Sequence, residues 1–273
     1  MKKNYYKGNF FSYISLLKNW LSTSLPSLFN FRNTKKESVN IGVELIQMHV
    51  RQDSISDIYW LKNSDIDLNK VIGLTTVDYD SKSLHELGKT GIKIFNVSGS
   101  IFKAINHRIQ IHEIRRHTKF IFADIKYFIN TFSRAFRIFT LIFSSNSSSW
   151  FSFQESYYFI RTEFWKSIYS QFNIRMLWTM YDVDQDKLVK AQAIENCKGL
   201  YMGSHWSNFP SKPRVEESKY YDINFIWSRY FISNEFFSKY KFQAIFQTGY
   251  PSDYYFQSAK KESLILKNKY SEN

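Results

Sequence analysis

Short apolar runs alternate with helical segments along most of this chain, and that alternation restricts its fold more than any other feature. Apolar runs suited to buried strands occur at Val39–Val50, Lys70–Thr75 and Ile92–Val97, and again after residue 173. Between them lie segments with apolar residues three and four positions apart, a spacing typical of helices that bury one face. The pattern predicts an α/β fold with a Rossmann-like parallel sheet and helices on both faces.

The second half of the chain continues the alternation. The predicted elements are a helical region over 100–143, a loop at Ser144–Ser149, a helix at Trp150–Phe172, a strand at Ile174–Met180, a helix at Asp186–Cys197, a strand at Leu200–Met202 and a strand–helix–strand unit from Ile223 to Thr248. We expect three segments: a helical leader over 1–38 that is amphipathic or poorly ordered, a Rossmann-like domain over 39–257, and a tail or linker over 258–273.

The composition and charge of the chain limit the kinds of molecule that it is expected to bind. The chain has 273 residues and a formal net charge of +13, and its basic residues are dispersed. No zinc-finger, helix-turn-helix or RNA-recognition motif accompanies them, so we expect no nucleic-acid partner. An anionic membrane surface or a phosphorylated small molecule fits the charge equally well. The single cysteine, Cys197, excludes an internal disulfide and is predicted to be a small buried residue. A reducing compartment is the natural interpretation, and a secreted protein without disulfides is the alternative.

Loops that follow strands are the places to look for chemistry, because ligands of parallel sheets bind beyond the carboxyl ends of the strands. These loops are Gln52–Asp57, Tyr181–Asp186, Gly203–Asn208 and Gly249–Asp253. His205 combines an imidazole with neighbouring hydroxyl and amide groups, so it is either a base or phosphate contact, or a loop histidine without a role.

Two Asp-x-Asp pairs, Asp78–Asp80 and Asp182–Asp184, have the spacing that some metal-dependent sugar transferases use. Acidic residues are also favoured in loops and at helix starts, and two matches in one chain show how common the pattern is. We therefore predict no metal site and no cofactor, and keep a metal-dependent transferase as a third hypothesis.

Several segments together resemble the N-terminal half of two-domain GT-B glycosyltransferases of bacterial surface-polysaccharide (capsule or O-antigen type) biosynthesis. They are, in chain order, Arg51–Leu61, Ile66–Ile72, Lys198–Ser207, Phe225–Phe231 and Gly249–Phe256. The last two are similar to family patterns that read FVWG-x-YF and GYP-x-DYLF. The chain departs from the patterns at His205, where the family usually has Gln, and at Ser228, where it usually has Gly.

The resemblance implies an acceptor-side half-enzyme, inactive until a second polypeptide supplies the domain that binds the nucleotide sugar. On this hypothesis we predict His205 as the catalytic residue, as a base or phosphate contact, and a substrate-binding set made of Gly203, Ser204, Ser207, Gly249, Tyr250 and Asp253. The expected location is cytoplasmic, with peripheral association at the inner membrane left open. The alternative is a non-catalytic membrane-surface binding or scaffold protein derived from such an enzyme.

Overall fold

The computed structural model describes residues 2–29, 38–45, 64–76, 91–97, 118–120, 123–143, 148–179, 186–204, 221–226, 242–249 and 253–271. The chain divides into two compact units. The first contains Met1–Thr179 and Val183–Tyr201, and the second contains Met180–Asp182 and Met202–Asn273. The division falls within one strand, so each unit is described by itself.

The first unit is built on a parallel sheet. Its strands are β1 (Asn40–Leu45), β2 (Val71–Thr75), β3 (Lys93–Asn96), β4 (Thr118–Phe120) and β5 (Ile174–Thr179), and a short 3-10 turn at Leu68–Lys70 leads into β2. β1 and β2 are almost wholly buried, as their apolar runs predict, and β5 is buried at Ile174 and over its last three residues.

Strand order in this sheet is β4-β3-β2-β1-β5, and every pairing is parallel. The chain therefore moves outward from β1 to β4 and then returns to place β5 against the free side of β1. That reversal is the topological switch point of a doubly wound sheet, and it lies between β1 and β5. The predicted α/β class, with a Rossmann-like parallel sheet and helices around it, is confirmed.

Helices of the first unit pack on one another beside the sheet. They are α1 (Lys2–Phe29), α2 (Ile125–Leu141), α3 (Ser148–Gln171) and α4 (Lys187–Asn196). α3 packs against α2 and α4, and both α3 and α4 contact β5. Right-handed crossovers place the helix before β5 and the helix after it on the same face of the sheet, which agrees with this packing.

Helix α1 is tied to α2 by a buried polar network. The Trp20 indole donates to Thr131 Oγ1 at 2.8 Å, and the Thr131 hydroxyl donates to the Tyr127 carbonyl at 2.6 Å. Thr23 and Tyr127 hydroxyls are 3.0 Å apart. Burial raises the pKa of Tyr127 to about 12, although the Thr23 hydrogen bond and the Arg161 charge act in the opposite direction. The first helix is therefore an integral part of this unit.

The second unit contains the larger part of β6 (Leu200–Ser204), from Met202 onward, together with β7 (Ile223–Ile226), β8 (Ala244–Gln247) and helix α5 (Asp253–Ser271). These strands are also parallel, with Gly203 opposite Asn224 and Phe225 opposite Phe246. The predicted strand at Leu200–Met202 is thereby confirmed, and so is the start at Ile223 of the predicted strand–helix–strand unit. Helix α5, by contrast, was not predicted from the sequence.

Two local predictions are wrong. Residues 118–120 form β4 inside the region predicted as helical, because backbone pairing with β3 outweighs an apolar spacing that fits a helix. Ser148 and Ser149, predicted as loop, begin α3, since serine is favoured both in loops and at helix starts. The helices at 150–172 and 186–197 and the strand at 174–180 are confirmed to within a few residues.

Candidate functional site

Buried polar residues mark the carboxyl ends of the strands in the first unit. They are Glu44, Thr75, Asn96 and Thr179, each no more than 4% exposed. Register places Leu45, Thr75 and Asn96 side by side, while Glu44 lies one residue earlier in β1. Val43 pairs with Trp178, so Glu44 is level with Thr179 across the switch point. The edge at which parallel sheets bind ligands is therefore polar here although it is buried.

Glu44 forms a buried ion pair with Lys190 of α4. Glu44 Oε1 is 2.6 Å from Lys190 Nζ, and the two side chains are 4% and 7% exposed. Lys190 Nζ also lies 4.8 Å from the centroid of the Trp165 ring, close enough for a cation–π contact. The lysine is thus held between β1 and α3, and it fixes the position of the carboxylate.

The second carboxylate oxygen differs from the first. Glu44 Oε2 is shielded from solvent and has no hydrogen-bond partner within the described part of the chain. A buried charged acceptor without a donor costs free energy, so a carboxylate left in this state calls for an explanation. An acceptor of this kind is suited to a donor group that arrives with a ligand.

Helix α4 begins beside this pair. Asp186 precedes its first residue and makes no side-chain cap, because the carboxylate is engaged by the Arg161 guanidinium of α3. The Trp165 indole nitrogen is 3.5 Å from the same carboxylate. Arg161 and Trp165 therefore hold Asp186, and with it the start of α4, against α3.

The residues predicted to bind substrate lie in the second unit, and their described members do not converge. Ser204 is level with Phe225 and Phe246, whereas Gly249 is two strands away and three residues further along. Strand spacing and rise put these two positions roughly 14 Å apart. Gly249 has a φ of +78°, as expected for the predicted tight turn. Asp253 is the first residue of α5.

Gly203 and Ser204 end β6 in different surroundings. A Cβ on Gly203 would overlap the ring of Tyr221, so this glycine is required by packing in the same unit. The Ser204 hydroxyl is buried and lacks a hydrogen-bond partner among the described residues. His205, Ser207 and Tyr250 lie outside the described residues, and the roles assigned to all seven remain predictions.

The remaining predictions concern the cysteine, metal sites and membrane-spanning helices. Cys197 is buried, as predicted, with its sulfur 3.5 Å from the Ser170 hydroxyl. Across the described ranges, no group of three or more His, Cys, Asp or Glu side chains could hold a metal ion. Both Asp-x-Asp pairs fall outside those ranges. None of the helices, where described, is long and apolar enough to cross a bilayer.

Sequence reasoning missed Glu44 and Lys190. The available signal was an acid inside the otherwise apolar strand run NIGVEL, which is unusual for a strand buried on both faces. Asp186, before the first residue of α4, is the described residue of the predicted loop at 181–186. Comparison of the chain with protein-family models, with characterised proteins and with solved structures finds no match. The resemblance to GT-B glycosyltransferases therefore stays a prediction.

Proposed function

We propose that this chain is the acceptor-side half of a glycosyltransferase-like protein of surface-polysaccharide biosynthesis, and that its first unit holds a sugar at the β1–β5 switch point. The proposal combines the sequence resemblance with one structural observation, the unpartnered Oε2 of Glu44. In this reading a donor-binding domain completes the enzyme, and the complete protein works in the cytoplasm or at the inner face of the membrane.

A sugar suits this acceptor because each of its hydroxyl groups can donate a hydrogen bond. Hydrogen bonds to a carboxylate are stronger than those to a neutral oxygen. Lys190 occupies Oε1 at 2.6 Å, and this contact fixes the carboxylate before any ligand binds. A fixed acceptor selects a hydroxyl by position, and it loses less conformational entropy on binding than a mobile one.

The surroundings favour a polar but uncharged group at Oε2. A phosphate placed directly against Glu44 would be repelled by the carboxylate, whereas a hydroxyl supplies the missing proton donor. Thr179 is level with Glu44 at the end of β5 and is fully buried, so it extends the polar edge on the same side. These features support contact with the acceptor sugar more than with the diphosphate of a donor.

Sugar binding is tested by saturation-transfer-difference NMR with methyl glycosides of glucose, galactose, mannose and N-acetylglucosamine. We expect ring-proton signals for at least one glycoside with the wild-type chain, and a loss of at least fivefold in Glu44→Gln. The amide keeps the size of the side chain but puts a hydrogen-bond donor in place of one carboxylate oxygen. The matched control is Glu155→Gln, which alters an exposed ion pair on α3 and should bind as the wild type does.

Loss of the fold must be separated from loss of binding. The double variant Glu44→Gln with Lys190→Met removes both charges of the pair, and it should restore the far-UV circular dichroism of the wild type without restoring binding. The proposal fails if none of the four glycosides gives a signal at millimolar concentration. It also fails if a folded Glu44→Gln variant binds as tightly as the wild type.

Transfer is a separate question, answered by co-expression with a donor-binding polypeptide. Membranes from the co-expressing cells are supplied with tritiated UDP-sugars, and label in the lipid fraction is measured. Incorporation that depends on both chains supports the proposal, whereas incorporation by the partner alone would contradict it.

A further inference from the structure

Helix α2 presents an apolar row that is exposed in the described part of the structure. Its members recur three and four positions apart, and each is at least half exposed: Ile129, Phe132, Phe136 and Phe139, followed by Phe143 in the turn after the helix. The neighbouring side of α2 is buried against α1 and α3 through Tyr127, Thr131, Ala135 and Ile138. The apolar arc of α2 is therefore wider than the surface that the other described helices cover.

The apolar row of α2 ends where the start of α1, the end of α2 and the start of α3 lie close together. Thr23 contacts Tyr127 and Trp20 contacts Thr131, so α1 runs antiparallel to α2. One turn or two earlier in α1, the Tyr13 ring lies 4.5 Å from the Phe153 ring near the start of α3. The residues that extend beyond these contacts are exposed aromatics on all three helices: Phe10, Phe11, Phe139, Phe143, Trp150 and Phe151. We call these six residues the aromatic end.

Aromatic side chains of this set are well exposed. Phe143 is 78% exposed, Phe151 71% and Phe11 68%. They also touch in pairs, with ring centroids 5.6 Å apart for Phe139 and Phe143 and 4.9 Å apart for Trp150 and Phe151. Clustered exposed rings of this kind mark an interaction surface rather than scattered surface residues.

The positive charge of α1 and α2 indicates the kind of partner that the aromatic end binds. α1 carries four basic residues and α2 carries three, and neither helix contains an acidic residue. Three of them, Lys2, Lys3 and Lys7, precede Phe10 and Phe11 at the aromatic end of α1. The nearest acid on α3, Glu155, is engaged by Arg134 at 2.8 Å and Arg137 at 3.3 Å. A second copy of the chain would place like charges together, whereas an anionic surface neutralises them.

We propose that the aromatic end docks on the surface of an anionic lipid bilayer. Phe and Trp rings enter the boundary between headgroups and acyl chains, and the net positive charge of α1 and α2 favours an anionic headgroup surface. Two signals act together, since neither a few exposed rings nor a few lysines alone gives strong binding. The inference does not depend on the sugar-binding proposal, because it concerns a different surface with a different ligand.

Vesicle co-sedimentation tests the docking surface. The probes are vesicles of phosphatidylcholine alone and of phosphatidylcholine with 30 mol % phosphatidylglycerol, a lipid fraction chosen for the experiment, at about 0.1 M and about 0.5 M salt. We expect the wild type to bind the anionic vesicles and to lose most of that binding at the higher salt. The triple variant Phe139→Ser, Phe143→Ser and Phe151→Ser should bind at least tenfold more weakly.

The matched control lies on α5. Leu264→Ser with Ile265→Ser removes apolar residues that are 50% and 67% exposed, so it changes surface hydrophobicity without touching the aromatic end. This variant should bind as the wild type does. A second set, Lys2→Gln, Lys3→Gln and Lys7→Gln, should lower affinity for the anionic vesicles and leave the fold unchanged.

Three results would overturn the proposal that the aromatic end docks on lipid. Equal loss of binding in the α5 control would show non-specific hydrophobic adsorption. Concentration-dependent dimers in light scattering that disappear in the triple variant, together with no vesicle binding, would make the aromatic end a contact between copies of the chain. Binding that ignores both salt and phosphatidylglycerol would remove the electrostatic half of the argument.

Discussion

Lys190→Met should destabilise the first unit severely. The lysine nitrogen is 2.6 Å from Glu44 Oε1, and both side chains are less than a tenth exposed. Removing one member of a buried ion pair leaves the other charge uncompensated, at a cost of about 3–5 kcal/mol. An exposed pair contributes only about 0–1 kcal/mol. Arg134→Met, which breaks the exposed pair with Glu155, provides the internal comparison.

Urea unfolding followed by tryptophan fluorescence and circular dichroism gives the free energies. Because the chain has two compact units, hydrogen exchange of the β1 and α4 amides is used to identify the unit that is affected. The double variant Glu44→Leu with Lys190→Met should be less destabilised than either single variant, since no buried charge remains.

The reasoning is refuted by either of two results. Lys190→Met and Arg134→Met could lower the free energy of unfolding by the same amount, within about 1 kcal/mol, which would mean that burial does not strengthen the Glu44 pair. Alternatively, the double variant could lose the sum of the two single losses, which would show that the charges act independently.

Two further predictions concern stability. The pKa of Tyr127 is raised from its ordinary value of 10.0 to about 12 in the folded state. The contribution of the protonated hydroxyl to the free energy of unfolding is therefore fully present below pH 10, and it is lost as pH rises toward 12. The loss is about 3 kcal/mol, and an alkaline unfolding series should show it in the wild type but not in Tyr127→Phe. Gly203→Ala forces a Cβ against the Tyr221 ring and should cost about 1–3 kcal/mol in urea unfolding. The penalty should shrink in a Tyr221→Ala background, and an unchanged penalty would contradict the packing argument.

Much of the fold is readable from local pattern. Val71–Thr75 and Ile174–Thr179 are short, apolar and rich in β-branched or bulky residues, so their burial in a parallel sheet follows from composition. Trp150–Gln171 has the length and the apolar spacing of a helix. β4 could not be read in this way, because its three residues form a strand only by pairing with β3.

The candidate site was harder to foresee than the fold. Glu44 and Lys190 are distant in sequence, and neither belongs to a motif, so only the fold brings their charges together. Among the loops predicted from the sequence to hold the site, Asp186 is the residue before α4 and Ser204 is the last residue of β6. Sequence reasoning could not choose between the two units, because local pattern carries no information about which buried acceptor lacks a donor.

The central position of β1 has a consequence for synthesis of the chain. One edge of β1 pairs with β2, which follows about 30 residues later in the chain. The other edge pairs with β5, which is synthesised much later: the Asn40 side chain donates to the Phe172 carbonyl, 132 residues further on. At ~5–20 residues per second a ribosome needs roughly 7–26 s to cover that distance. During this interval the nascent chain carries an apolar strand with one open edge, a state that invites misassembly. We therefore expect ribosome-bound chains that end near residue 170 to be chaperone clients, and chains extended by about 60 residues to be released from that dependence.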